Sequence, residues 1–540
     1  MFFTLVVSAA TPDKCAALTN RAGETDPALM PIAGSVTVTW RSADGRAAII
    51  RWGPGPAGNA APESFGDTIW PDPSAPGSPV RARTSLTRVD PVYAAETADA
   101  VILSDRALWA AWVADRMGGY DPAHACALLN TGYPLGGTTP WKGVRALPPA
   151  ATARAVGGRL TVSAGSLSGG VAGDAGDAGD ESGQRKAAAA TAADVAAALT
   201  AAVAPLKETG EPVELSLTGG KDSRLIAAAL VSAGIPVHAR THGFSEHPDV
   251  VIAAQVAQVL GIEHTVRTPA EPGQQTDPAA RVRSAVLVAD GMLSAFENVG
   301  RPDTRRSPAL TAGGHGGELL RGGYAEIAAG RRPARLRAAE VLRRLTTKRI
   351  GLVRRGAAAG YLASLTPWTG AAFTRGPLPM LDDFYLVNRA GRWSAAARQA
   401  YLVRERLAQP LFDDNVVRAA RAVPLPERLS GSLITSVITE LSPALVDVPF
   451  AAKPARGQFP PAFDWRRQYG TEIAAFFRDY TMDFGTSGGL FDVVHRPTAE
   501  RLLALPHADR GLVWTLATLA CLVSGDFKNA REPSRQLPVS

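Results

Sequence analysis

Residues 212–234 read P-V-E-L-S-L-T-G-G-K-D-S-R-L-I-A-A-A-L-V-S-A-G. The spacing predicts a short buried strand over Val213–Leu217, a glycine-rich turn over Thr218–Ser223, and an apolar helix over Arg224–Ser232 that ends at Gly234. A strand, a tight Gly-Gly turn and a helix N-terminus together gather backbone N–H groups into a nest suited to phosphate. Gly219 and Gly220 carry no Cβ, so the backbone can approach an anion closely. Asp222 is then out of place unless a divalent cation stands between its carboxylate and the phosphate. The loop therefore reads as a Mg-nucleotide site, with Leu217, Thr218, Gly219, Gly220, Asp222 and Ser223 as its binding candidates. It is neither G-x-x-x-x-G-K-[ST] nor G-x-G-x-x-G, which excludes the P-loop NTPase and dinucleotide fingerprints.

Downstream, Pro236–Thr241 reads as a second strand, Asp249–Leu260 as a helix capped by Gly261, and Glu263–Arg267 as a third strand. This alternation predicts a parallel, doubly wound α/β sheet with ligands at the carboxyl ends of its strands. Beyond about residue 275 the chain reads as mostly helical, broken by one strand-plus-glycine element at Ala309–Tyr324. Upstream, an Ala-rich helix is expected over 187–203. Residues 164–186, A-G-S-L-S-G-G-V-A-G-D-A-G-D-A-G-D-E-S-G-Q-R-K, are low in large apolar side chains and read as a flexible linker, or else as a long surface loop within one domain. Residues 1–163 form a β-rich domain, with strands such as Ser35–Trp40 and Ala47–Trp52 and a helix over Ala107–Met117. The opening M-F-F-T-L-V-V-S-A-A has no basic flank and reads as an edge strand rather than a signal peptide.

With 540 residues there is room for two or three domains with sizeable cores. Cys15, Cys126 and Cys521 share no metal or redox spacing, which points to a reduced, cytoplasmic protein. No apolar run is long enough for a membrane span. A net charge of +7 permits acidic or phosphorylated partners and does not demand nucleic acid. The stretch Arg331–Arg355 is strongly basic, with Glu340 its only acid; it reads as a docking surface or as a solvated helical face. It lacks the interleaved aromatics of a single-strand nucleic-acid binder.

Residues 309–324 read A-L-T-A-G-G-H-G-G-E-L-L-R-G-G-Y. A strand over Ala309–Ala312 leads into an open loop, Gly313–Gly317, and Glu318 opens a helical turn. Gly313 and Gly314 join the nucleotide-binding candidates. Glu318 alone would be an ordinary acid favoured by a helix N-terminus. Paired with the first loop, Asp222 and Glu318 suit a Mg²⁺ held against a pyrophosphate.

These residues carry a resemblance. S-L-T-G-G-K-D-S resembles the S-G-G-x-D-S loop of the PP-loop ATP pyrophosphatases. Gly313–Glu318 sits where the asparagine-synthetase-like branch has S-G-E-G-S-D, followed by the matching Gly322-Gly323-Tyr324. Gln409-Pro410-Leu411-Phe412-Asp413 resembles that branch's V-P-F-L-D, and Thr139–Pro149 its T-x-W-x-G-V-x-x-L-P-P. The resemblance covers most of the chain in the right order. It implies an α/β PP-loop synthetase domain with a helical C-terminal part over 187–540, using ATP and Mg²⁺. It implies a glutaminase-like domain of the Ntn-hydrolase class over 1–163. His242 and Gly243 fall where the family receives adenine, and Lys453, with Arg456 as runner-up, where related enzymes place a catalytic lysine. His315 is either a substrate contact or proton shuttle, or a hydrogen-bonded loop residue.

Glutamine-dependent members begin Met-Cys, whereas this sequence begins Met1-Phe2, and a thiol nucleophile needs a neighbouring base. The first domain is therefore expected to be degenerate, without glutaminase activity, and the amine to come from the substrate itself. The H-G-G-E-L-x-R-G-G-Y form is most similar to actinobacterial lasso-peptide cyclases. That resemblance implies adenylation of an Asp or Glu side chain of a core peptide by way of Asp222, Glu318 and Lys453, then attack by the peptide's own N-terminal amine. It also implies a precursor peptide, a leader peptidase and a leader-recognition protein as partners. A β-lactam synthetase or other small-molecule amide ligase is the near alternative, and an inactive precursor-binding scaffold the alternative of another class.

Overall fold

The structure is a computed structural model that describes residues 3–53, 69–72, 79–165, 167, 189–268, 277–299, 307, 309–329, 334–452, 466, 469, 472–505 and 507–529, the side chains of 334–337 excepted. Of the expected linker, only residues 164, 165 and 167 are among them.

The N-terminal part contributes ten strands: β1 Phe3–Ala9, β2 Ser35–Arg41, β3 Ala47–Gly53, β4 Ile69–Pro71, β5 Val80–Arg83, β6 Tyr93–Glu96, β7 Ala100–Ser104, β8 Val144–Ala146, β9 Ala151–Val156 and β10 Arg159–Ala164. They form an antiparallel six-stranded sheet in the order β2-β3-β1-β7-β6-β8 and a four-stranded sheet in the order β10-β9-β5-β4. The period-two alternation of strand side chains sorts the residues between two cores. Val6, Ile49 and Leu103 pack with Val80, Ala82 and Ala153 of the second sheet. Leu5, Val7 and Ile50 face the other way and share a core with Leu18 and Trp109 of helices Pro12–Gly23 and Ala107–Val113. β1 is hydrogen-bonded on both sides, to β3 and β7. The expectation of an edge strand is thus corrected: V-V is buried on both faces because the strand is interior.

The second part holds five parallel strands, β11 Val213–Ser216, β12 Val237–His242, β13 Glu263–Arg267, β14 Leu310–Ala312 and β15 Arg406–Ala408, in the order β13-β12-β11-β14-β15. From the central β11 the chain moves outward through β12 and β13, then returns to add β14 and β15 on the other side. β11 and β14 therefore flank the point where the winding reverses, the position at which parallel sheets open a crevice for ligands. The helix after β11 runs Lys221–Ser232, three residues earlier than expected, which puts Asp222 and Ser223 in its first turn. The Ala-rich helix runs Ala192–Val203 from a Thr191–Asp194 capping box, a signal that outweighs the alanines before it.

The remaining helices are not confined to this sheet. Helices Pro278–Val288, Ile473–Ser487 and Arg510–Ser524 share one apolar core with the six-stranded sheet. Buried polar contacts fasten the same junction. Arg106 forms an ion pair with Asp290, the two side chains 1% and 0% exposed. Arg88 donates to the carbonyls of Leu147, Gly136 and Val387. Asp290, Glu297 and Asn298 lie in a run of turns after Val288, within a stretch expected to be mostly helical. Asp290 takes a left-handed φ of 49° at the Gly291 turn and is committed to Arg106, not to a ligand-facing polar stripe.

Candidate active site

The Thr218–Ser223 loop is closed by its own side chains. Ser223 Oγ accepts from Thr218 N at 3.0 Å and pairs with Thr218 Oγ1 at 3.1 Å, while Gly220 N donates to Thr218 Oγ1 at 3.2 Å. Ser223 is buried and spends its hydroxyl on loop closure. Gly219 N donates to Asp249 Oδ1 at 3.1 Å, and Gly219 O accepts from Ala451 N at 3.0 Å. A Cβ on Gly219 would run into the Ala451 side chain, so this glycine is required by the approach of a distant segment. That segment is anchored by Arg224, which donates to the carbonyls of Val448 and Pro449, both at 2.6 Å, and lies over Phe450. Arg224 is therefore a buried structural clamp. Lys221 leans on the same Phe450 ring. Ser216 is exposed at the end of β11. Lys453 and Arg456 lie outside the described residues; Ala451, two residues before Lys453, is docked on the loop.

The second glycine loop follows β14, which pairs with β11, so Gly313 and Gly314 arrive beside Asp222. A 3-10 turn over Gly317–Arg321 then presents Glu318. Glu318 accepts from the Tyr385 hydroxyl at 3.0 Å, and Asp222 accepts from Arg321 Nη1 at 2.6 Å. Burial raises the Asp222 pKa; Arg321 opposes that shift and Glu318 adds to it. The two carboxylates thus feel one another. Burial, and then Glu318, lift Tyr385 well above the usual phenol range, so it stays a hydrogen-bond donor. Burial lowers the pKa of His315, which makes it a neutral imidazole at neutral pH. Its ring lies 6.5 Å from Tyr401. Leu217, Thr218, Gly219, Gly220, Asp222, Ser223, Gly313, Gly314 and Glu318 are thus gathered on the β11 and β14 loops. His242 and Gly243 stand at the end of β12, the next strand over, with Gly243 N bonded to Arg267 O at 3.1 Å.

Three participants were not singled out from the sequence. Arg321 lies within the quoted R-G-G-Y, whose glycines drew attention instead. Tyr385 and Arg389 sit in a π-helical stretch, Tyr385–Ser394, that has no glycine signature. Its wider turn, over four residues, sets Tyr385, Arg389 and Trp393 in one stripe. Arg389 stacks on Trp393 at 3.5 Å and lies 5.8 Å from Tyr133; Tyr133 shares a 3.1 Å hydrogen bond with Tyr324. Arg389 also acts electrostatically on His315, Tyr324 and Tyr385, which places it beside the second loop.

The fit to a divalent cation can be tested on these donors. Among the described residues no group of three or more His, Cys, Asp or Glu side chains forms a metal cage. Two carboxylates and no soft ligand are the donor set with which proteins bind Mg²⁺ together with nucleotide phosphates. Asp222 and Glu318 fit that role.

A parallel sheet with two glycine loops and two carboxylates at its winding reversal is an α/β architecture with a ligand crevice at the carboxyl ends of its strands. The family model described as asparagine synthase matches residues 194–520, more than half of the chain. The chain belongs to the asparagine synthase family, whose members are ATP-dependent amide ligases. No curated protein matches it. Among the described residues no helix is long and apolar enough to cross a membrane.

Proposed function

We propose that this protein is a lasso-peptide cyclase, an AMP-forming ligase that closes a macrolactam on a ribosomal peptide. The observation that carries the reading is the convergence of Asp222 and Glu318 from two loops at the β11–β14 crevice. A bound Mg²⁺ there would neutralise the pyrophosphate leaving group. In the first step an Asp or Glu side-chain carboxylate of the peptide attacks the α-phosphate of ATP and pyrophosphate leaves. In the second, the peptide's N-terminal amine attacks the acyl carbon, AMP leaves, and the amine gives up a proton. The Thr218–Ser223 loop orients the phosphates, and Tyr385 holds Glu318. Lys453 is proposed as the cation that steadies the developing oxyanion.

Arg389 supports an acidic substrate. It has no carboxylate partner among the described residues, and a guanidinium stacked on an indole is suited to a planar carboxylate. The amine is assigned to the substrate because no cysteine in the described structure is equipped as a nucleophile. Cys15, Cys126 and Cys521 are all fully buried, and burial raises each thiol's pKa, that of Cys126 to about 12. The first domain is read as a glutaminase relic over 1–163, joined through 164–186 to a synthetase over 187–540. A leader peptidase and a leader-recognition protein are the proposed partners, and the cytoplasm the proposed compartment.

The test is incubation with ATP, Mg²⁺ and candidate peptides bearing Asp or Glu near the N-terminus. The expected result is AMP release with a mass loss of one water. AMP formed only with small amino acids would favour the β-lactam-type alternative; no AMP with any peptide or small amino acid would leave only a scaffold.

A further inference from the structure

The 3-10 turn Gly317–Arg321 delivers two opposite charges to one crevice. With three residues per turn, side chains at i and i+3 eclipse, so Glu318 and Arg321 share a face. Arg321 Nη1 donates to Asp222 Oδ1 at 2.6 Å and its Nε to Glu326 Oε2 at 3.4 Å. The guanidinium is enclosed, its side chain 17% exposed. Glu318 also acts on it electrostatically, so Arg321 is surrounded by three carboxylates. Asp222 itself keeps part of its carboxylate open to solvent, its side chain 30% exposed. Here the arginine occupies one of the oxygens a divalent cation would use.

We propose that Arg321 is a resident counter-cation that holds Asp222 until nucleotide phosphate arrives, so that the divalent cation enters with the nucleotide rather than ahead of it. This rests on the two-carboxylate reading above. Asp222 and Glu318 act on each other as like charges, and Arg321 sets a positive charge against both. When phosphate oxygens enter, the guanidinium gains acceptors of matching fork geometry. Asp222 is then released to the metal. Arg321 is a positioning residue, acting through Asp222.

The experiment uses the full chain and Mn²⁺ as probe, followed by electron paramagnetic resonance with and without α,β-methylene-ATP. Wild type is expected to bind Mn²⁺ weakly alone and much more tightly with the analogue. Arg321→Gln is expected to bind Mn²⁺ without nucleotide about tenfold more tightly than wild type, and to gain less from the analogue. Arg321→Lys keeps a charge but cannot span Asp222 and Glu326, so its nucleotide-free affinity should fall between the two. It decides the matter if Arg321→Gln fails to fold. Variants no tighter than wild type without nucleotide would overturn the role of Arg321. No Mn²⁺ binding by any protein, with or without the analogue, would instead remove the cation site and with it the reading on which the role rests.

Discussion

The α-carbon of Gly314 lies against the backbone of Asp222: a Cβ built there would stand 2.7 Å from the Asp222 carbonyl carbon and 2.8 Å from Ser223 N. The two glycine loops are therefore pressed together backbone to backbone at the crevice. Gly314→Ala should wedge them apart and move Asp222 away from Glu318. Because the obstructing atoms are main chain and not a flexible side chain, little relief is available. Nucleotide affinity measured calorimetrically should fall by about tenfold or more. An affinity equal to wild type would show that the close approach does not matter for binding.

Tyr385→Phe isolates one hydrogen bond. The ring is buried in an aromatic setting, 5.1 Å from Tyr324, so the phenyl group should keep the packing. What is lost is the hydroxyl that holds Glu318. Hydrogen bonds to charged groups are worth about 1.5–3 kcal/mol, so Mg·ATP affinity should drop about tenfold with the melting temperature little changed. A large fall in melting temperature with intact affinity would assign Tyr385 to the core alone.

How far the sequence reveals this molecule depends on the range of the interactions involved. Glu263–Arg267 matches β13 residue for residue, and the Gly261 cap before it is in place, because strand alternation and left-handed caps are local. The placement of Asp222 and Glu318 was readable for the same reason: each follows a glycine-rich strand end. The role of Arg224 was not legible, since its partners are carbonyls more than 200 residues away in sequence. Asp290 was hidden in the same way; D-G-M-L-S-A-F has helical composition, yet the Asp290 carboxylate is fixed by Arg106 from the other half of the chain. β1 looked like an edge because nothing in ten residues tells how many neighbours a strand will acquire. The π-helical turn that aligns Tyr385 with Arg389 has no sequence signature at all.

Arg389→Gln tests the proposed acid-binding side of the crevice. The side chain touches aromatic rings and no described carboxylate, so its removal should leave nucleotide binding alone. The KM for the acidic substrate should rise about tenfold or more, the cost of a lost charge-assisted contact, while the dissociation constant for Mg·ATP stays unchanged. Equal losses for both ligands would move Arg389 to the phosphate side.

Asp105 supplies a pH test of the N-terminal half. Its Oδ2 accepts from Thr4 N at 3.0 Å, while its Oδ1 is sealed from solvent with no hydrogen-bond partner. Burial raises the carboxyl pKa to about 7, against the opposing pull of the Thr4 N–H and Arg106. An unfolded aspartate titrates near about 3.9. Between those values the native protein holds a proton that the unfolded chain has released. The stabilising contribution is therefore complete below the unfolded value and is lost as pH rises through about 7. Asp105→Asn keeps an oxygen for the Thr4 N–H and removes the titration. The variant should melt higher than wild type at about pH 8, and the gap should close or reverse towards about pH 5. Parallel melting curves for the two proteins across that range would show that Asp105 ionises freely in the folded state.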